Sequence, residues 1–316
     1  MHMHRIAIAL SLFVTLSAAQ AATDLAGVVV DSHAKPIANA QVFVYTAFPR
    51  VGISSTCPYC YRDCGKHQAV DASGAYNLTG VDPTLVFDVL AIAEGYAPAF
   101  VRRVDPAKGP ASITLASREA TAPRLLISGV VLDPDGKTVV GASVTPHAYR
   151  TVEKMPNGNF RGSTAFGEIA GVDKLSITNA KGEFVLAVND PQAKLDVLVT
   201  ARSFAPHIEW RLIPGQPSHA IQLSEGATLT GHVVKDGKPL PGAQVVLVQQ
   251  DHSSERWLGK LDIATNENGL FVLSNVAPHV TYVVTATSDG ASSAKQPVTV
   301  GDDKTNVDAG TLTIGR

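Results

Sequence analysis

The chain states one pattern three times, and that period restricts its fold more than any single motif. Gly27-Val-Val-Val-Asp31, Gly129-Val-Val-Leu-Asp133 and Gly231-His-Val-Val-Lys-Asp236 begin 102 residues apart at each step, from 27 to 129 to 231. Later in each copy an Asp or Asn opens a turn that closes on Gly and is followed by one residue and an aromatic. These are Asp71-Ala-Ser-Gly74-Ala-Tyr76, Asn179-Ala-Lys-Gly182-Glu-Phe184 and Asn266-Glu-Asn-Gly269-Leu-Phe271. A period of this length makes each copy a folding unit in its own right, and units of about 100 residues can bury a core apiece.

Within a copy the apolar segments are short, rich in Val, Ile and Thr, and separated by Gly, Pro, Asn and Asp, with no capped segment of helical period. The chain therefore reads as all-β. Asp133-Pro134-Asp135-Gly136 is a turn with a mechanism, because Pro fixes φ and Gly accepts positive φ, and Asp236-Gly237 is expected to do the same in the third copy. The first copy has Ser32-His33-Ala34 there, so its turn is expected to be built differently. A small-residue step into a strand follows at Ile37–Val42, Val140–Val144 and Leu240–Val245. The strongest strand signals are Val86–Ile92, Leu195–Thr200 and Tyr282–Thr287, and closing strands end the copies at Ile113–Leu115, Ile221–Leu223 and Leu312–Ile314. Short strands punctuated in this way fit a two-sheet sandwich.

The first 21 residues read as an export signal: Arg5 is the positive end, Ile6–Leu16 the apolar run, and Ala19-Gln20-Ala21 the cleavage site. The apolar run falls short of the roughly 20 residues that span a bilayer, so the expected mature protein is exported, periplasmic or secreted, without a membrane span. With 26 basic and 28 acidic residues the net charge is −2, and no basic run occurs. That removes the electrostatic attraction on which nucleic-acid affinity rests, so no nucleic-acid partner is expected.

The succession G-x-V-x-D, P-x-x-G/N-A-x-V, D/N-x-x-G-x-F/Y and A-x-G-Y resembles the carboxypeptidase regulatory-like domain. The last motif is Ala93-Glu-Gly95-Tyr96, degenerate as Ala201-Arg-Ser203-Phe204, and the third copy keeps Gly290 without the aromatic. The resemblance covers nearly all of residues 24–315. It implies three tandem transthyretin-like β-sandwiches of the carbohydrate-binding-like kind, commonly non-catalytic modules of exported proteins. The expected organisation is a signal peptide at 1–21 and modules at 22–119, 124–225 and 226–316. These motifs specify turns and packing rather than a reaction.

The copies differ in one loop each, at 46–68, 149–175 and 249–262, and variable loops on a rigid scaffold are where binding usually lives. The first loop holds all three cysteines, Cys57, Cys60 and Cys64, with His67 beyond. In an oxidising compartment a local disulfide with one thiol left over is the expectation, and the pairing is not readable from sequence. The alternative is a thiol-dependent loop. Cys57, Cys60, Cys64 and His67 have the donor chemistry for zinc or copper(I), and Cys57-Pro58-Tyr59-Cys60 is similar to a glutaredoxin motif of four residues without the surrounding βαβ pattern. Tyr59 and Tyr61 in this loop, Arg150, Asn157, Phe160, Arg161 and Phe166 in the second, and Trp257 in the third are binding-loop candidates, able to stack on a sugar ring or anchor a protein. Trp210 reads as interdomain or core packing.

No enzyme is expected. His252-Ser-Ser-Glu255 has the H-x-x-E spacing of a peptidase zinc site, but only 61 residues follow and the α/β catalytic domain is missing. H-E-x-x-H, G-x-S-x-G and a phosphate-binding loop are all absent. The expected function is a non-catalytic binding or structural protein without a cofactor, presenting variable loops to a glycan, a cell-envelope component or an extracellular protein.

Overall fold

A computed structural model describes residues 23–56, 61–118, 121–251, 258–302 and 305–315. The signal segment, Cys57, Tyr59, Cys60, His252, Glu255 and Trp257 lie outside the described residues. The first repeat runs β1 (Thr23–Asp31), β2 (Gln41–Pro49), β3 (His67–Ala69), β4 (Ala75–Val81), β5 (Leu85–Ile92), β6 (Ala99–Val104) and β7 (Ala111–Leu115). The second runs β8 (Leu126–Leu132), β9 (Ser143–Lys154), β10 (Phe160–Phe166), β11 (Ser176–Ile177), β12 (Glu183–Ala187), β13 (Lys194–Thr200), β14 (His207–Leu212) and β15 (His219–Gln222). The third runs β16 (Ala227–Lys235), β17 (Lys238–Pro239), β18 (Gln244–Gln249), β19 (Lys260–Ala264), β20 (Leu270–Val276), β21 (Thr281–Ser288), β22 (Ala291–Ser292), β23 (Gln296–Thr299) and β24 (Asn306–Ile314).

Each repeat builds a small sheet around its first strand, ordered β4-β1-β7, β12-β8-β15 and β17-β16-β20, with β24 also on β16. Each also builds a larger sheet: β3-β2-β5-β6, β10-β9-β13-β14 and β19-β18-β21-β22. First and last strands pair in parallel in every copy, as Gly27↔Ala111, Gly129↔His219 and Thr228↔Asn306 show. The two sheets of a repeat share one core: Leu25 and Val29 meet Val44 and Phe87, Ile127 and Val131 meet Val144 and Leu195, and Leu229 and Val233 meet Val245 and Val284. The chain is an all-β protein of tandem sandwiches, as its strand signals predict.

The repeated motifs meet in space. Gly27, Gly129 and Gly231 stand opposite Tyr76, Phe184 and Phe271 in the antiparallel register. A Cβ on Gly129 would lie 2.4 Å from the Phe184 ring, and one on Gly231 2.5 Å from the Phe271 ring. The glycine is thus the floor on which the aromatic lies, and the ring covers backbone that a strand glycine leaves bare. The hairpin acid or amide before each aromatic ties its turn. Asp71 Oδ1 accepts from the Ser73 and Ala75 amides, Asn179 Oδ1 from Lys181 and Glu183, and Asn266 Oδ1 from Asn268 and Leu270.

Two turn expectations are corrected. Asp31 Oδ1 accepts from the His33 and Lys35 amides as Asp133 Oδ1 does from Asp135 and Lys137, and Ala34 (φ 60°) takes the place of Gly136 (φ 80°). The first and second turns are therefore the same device, because the side-chain oxygen forces the loop whatever stands in the left-handed position. The third turn differs: Asp236 and Gly237 both have positive φ between the paired Lys235 and Lys238, a two-residue hairpin of the primed kind.

The repeats touch one another. On β2, Val42 and Val44 face their own core while Phe43 joins Leu90 and Ile177 of the next repeat, with Tyr45, Phe100 and Leu175 packed around them. The Tyr45 and Thr200 hydroxyls are 3.1 Å apart, and Arg118 pairs with Asp173. The first and third repeats also meet, the Ala264 amide donating to Ser54 O at 2.7 Å.

Candidate binding surfaces at the repeat junctions

The three variable loops have three different fates. In the first, Ser54 is buried and its hydroxyl lies 2.6 Å from the Tyr61 hydroxyl, while Tyr61 packs on the first core. Cys64 is in that core at 1% exposure, beside Val42 and Val44. His67 lies on the other side of β2, its ring stacked 5.4 Å from Phe43. Because neighbouring strand residues face opposite sides, the two side chains do not converge on one point. Burial pushes the Cys64 thiol up to about 11, which disfavours the thiolate that metal binding or nucleophilic attack requires.

The second loop is not a loop over most of its length. β9 continues to Lys154, turns through Pro156-Asn157-Gly158, and returns as β10 in unbroken register from Phe160↔Lys154 to Phe166↔Ala148. Asn157 Oδ1 accepts from the Asn159 amide and Gly158 takes φ 85°, so the turn is a three-residue hairpin closed by a glycine. Every residue of β10 is exposed, Arg161 included, with Phe160 at 70% and Phe166 at 41%. Arg150 is committed elsewhere, its Nη2 lying 2.7 Å from the fully buried carboxylate of Asp196. The turn residues Pro156-Asn157-Gly158, set between segments carrying Thr151-Val152 and Ser163-Thr164, are the signal that marks this ribbon in the sequence.

Two buried acids were not singled out by the sequence. Asp196 Oδ1 also accepts from the Arg211 amide, and Asp88 accepts from the Arg103 amide and the Arg102 guanidinium. Arg103 and Arg211 both have positive φ at the irregularities of β6 and β14. Each acid therefore pins a bulge in an edge strand. An Asp inside an apolar strand run, as in Val86-Phe-Asp88-Val-Leu, was the available clue. The third repeat has Val283 at this place, and the register between β21 and β23 runs without a shift.

A concavity of about 750 Å³ is lined by both the second and third repeats. Trp210 lines it at 42% exposure, between two repeats as the interdomain reading expected but outside any core. Its strand, His207-Ile-Glu-Trp-Arg, is flanked by charge, and that marked it as a surface strand. His207, Gln249, Gln250, Asp251 and His279 supply polar groups to the same cleft. Gln249 is buried and its Oε1 accepts from the Leu258 amide, which sets the carboxamide in place. His207 Nε2 lies 3.2 Å from Glu209 Oε2, and this hydrogen bond holds the Glu209 carboxyl below its ordinary range against the opposing effect of burial. No Lys or Arg lines the cleft among the described residues.

Known proteins place the third repeat most firmly. The TIE protein of Bacillus anthracis aligns at 12% identity with a TM-score of 0.25, over 94% of this chain and 52% of its own, so this chain spans about half the length of that protein. BcpA, the major pilin subunit of Bacillus cereus, aligns at 11% identity and a TM-score of 0.21, over 93% of this chain and 99% of its own. The major pilin SpaD of Corynebacterium diphtheriae aligns at 12% and 0.24, over 93% and 98%. At these scores the alignments carry no weight for arrangement or function. No curated protein matches the chain. The carboxypeptidase regulatory-like domain family matches residues 228–313, which hold β17 to β23 and nearly all of β16 and β24. Residues 228–313 are therefore similar to the carboxypeptidase regulatory-like domain, the family that the thrice-repeated turn and glycine motifs resemble.

Proposed function

We propose that this protein is an exported, non-catalytic binding protein of three sandwich modules, at 22–119, 124–225 and 226–316, that holds a glycan in the cleft between the second and third. The observation that carries this reading is the exposed Trp210 set in a concave, polar lining without Lys or Arg among the described residues. An indole face suits the C–H face of a sugar ring, and carboxamides, hydroxyls and Asp251 suit its hydroxyl groups. With no Lys or Arg among its described residues, the lining suits an uncharged, hydroxyl-rich ligand better than a phosphate or carboxylate. Export to the periplasm or the medium fits the N-terminal signal. The thiol-dependent alternative gains nothing from Cys64, whose side chain is core material.

The test uses the mature chain with Trp257→Phe, leaving Trp210 as the sole indole. Neutral oligosaccharides of glucose, galactose and N-acetylglucosamine are titrated while Trp fluorescence is followed, and binding is repeated by calorimetry with Trp210→Ala. We expect a saturable change in emission and a loss of affinity of about 30-fold or more in the alanine variant, the scale of a buried aromatic anchor. Affinity unchanged in Trp210→Ala, or no binding by any sugar, would overturn the reading.

A further inference from the structure

The ribbon of the second repeat offers a different surface, its free edge. β10 is the outer strand of the order β10-β9-β13-β14 and, among the described residues, is bonded on one side only. The other edges of the three larger sheets carry protection. β3 has three residues and β22 two, β6 and β14 pair irregularly, β23 contains Pro297, and the Ala264 amide of β19 is taken by Ser54 O. These are the devices by which proteins block edge-to-edge pairing. β10 has seven residues, regular register, no Pro and a single charge, Arg161.

The atoms that this edge presents follow from the hairpin. The Met155 amide donates to Asn159 O at 2.7 Å, so pairs 155/159, 153/161, 151/163 and 149/165 are the hydrogen-bonded ones. Phe160, Gly162, Thr164 and Phe166 then direct their N–H and C=O groups outward. The sequence Phe160-Arg-Gly-Ser163-Thr-Ala-Phe166 is self-complementary about Ser163. In an antiparallel pair of two such strands centred there, Phe160 faces Phe166 of the other copy and Gly162 faces Thr164. Arg161 faces Ala165, so no like charges are opposed. The outward-bonding residues fall opposite one another in this register and in no register shifted by one.

We infer that β10 pairs with β10 of a second copy of this chain, forming a twofold-symmetric dimer through a continuous antiparallel sheet. The pairing makes roughly eight main-chain hydrogen bonds and two cross-strand Phe–Phe contacts. It also joins the exposed Phe160, Val152 and Phe166 of each copy into one apolar patch. A contact of this extent lies at the low end of specific interfaces, so the dimer forms at micromolar protein or above.

The register is tested by cross-linking in the full mature chain. Ser163→Cys puts two thiols at the symmetric position that is not hydrogen-bonded, where Cα atoms are about 4.5 Å apart, within disulfide reach. Ala165→Cys puts them four residues out of register. Under mild oxidation Ser163→Cys should give a covalent dimer well above the wild-type level, and Ala165→Cys should not. Sedimentation velocity from about 1 µM to about 500 µM should show wild-type dimer growing with concentration. Thr164→Pro removes an outward amide while sparing the bonds to β9, and should weaken association by about tenfold or more. Monomer throughout the concentration range, equal cross-linking of the two cysteine variants, or undiminished association in Thr164→Pro would each overturn the proposal; the last would leave another surface as the contact.

Discussion

The glycine beneath the core aromatic allows a sharp test of why the sequence repeats. Gly231 does not have positive φ, so alanine is compatible with its backbone, and by chain entropy alone Gly231→Ala should stabilise by about 0.4–1 kcal/mol. The surroundings reverse the sign. The new Cβ would sit 2.5 and 2.7 Å from ring carbons of Phe271 and 2.9 Å from Gly310 O. The ring must leave its rotamer or push its sheet outward, and overpacking of this kind costs about 1–3 kcal/mol, for a net loss of about 1–2 kcal/mol. Gly27→Ala should cost more. Its nearest obstacle is backbone, Ala111 O at 1.8 Å, and that oxygen also accepts from the Tyr76 hydroxyl at 3.0 Å. Displacing it strains the parallel β1–β7 pairing and one side-chain hydrogen bond, each worth about 1 kcal/mol, so about 2–4 kcal/mol is expected.

Hydrogen exchange read by mass spectrometry on peptides from each repeat is the suitable assay, because a chain of several modules need not unfold in one step. The decisive measurement is the cycle with Phe271→Leu. Leucine removes the ring atoms that the Cβ strikes, so the double variant should be less destabilised than the two single losses added together, by about 1 kcal/mol. Strict additivity, or a neutral Gly231→Ala, would refute the account of the glycine as a floor for the ring.

Ala34 holds φ 60° where the second repeat has glycine, so Ala34→Gly should raise stability by about 0.5–1 kcal/mol, seen as slower exchange around β1. Asp196→Asn removes a fully buried charge from Arg150 and should cost about 3 kcal/mol with loss of protection in β13 and β14; a change below 1 kcal/mol would show the pair to be dispensable. Under reducing conditions at pH 8, iodoacetamide should leave Cys64 unmodified in the native protein and label it after denaturation, by peptide mapping. Burial raises Cys64 to about 11 and Tyr76 and Tyr282 to about 12. The stability tied to these neutral forms is complete below the unfolded values, about 8.5 for a thiol and about 10 for a phenol, and is lost as pH rises through the folded values. Unfolding midpoints should therefore fall progressively above about pH 8.5, and a flat alkaline profile would contradict the burial.

The sequence by itself determined the unit that is repeated. Turn residues and the strand glycine act over a few residues or across one bonded pair, so Asp133, Asn179 and Gly129 announce their structure wherever they occur. Strand type was legible for the same reason. Even so, Ser32-His33-Ala34 misled, because the deciding group was the Asp31 side chain and not the residue with positive φ. The tertiary structure decided how the repeats meet, and with it every candidate surface. The run Leu85–Ile92 is buried on both faces because the second repeat packs on Leu90, whereas β21 alternates between buried and half-buried residues. Composition cannot say which neighbour buries a face. Trp210 became a cleft residue, Cys64 a core residue and the second loop a ribbon with a free edge only once the packing of whole sheets was settled. Such packing sums many weak contacts between residues distant in sequence, and a local motif does not encode that sum.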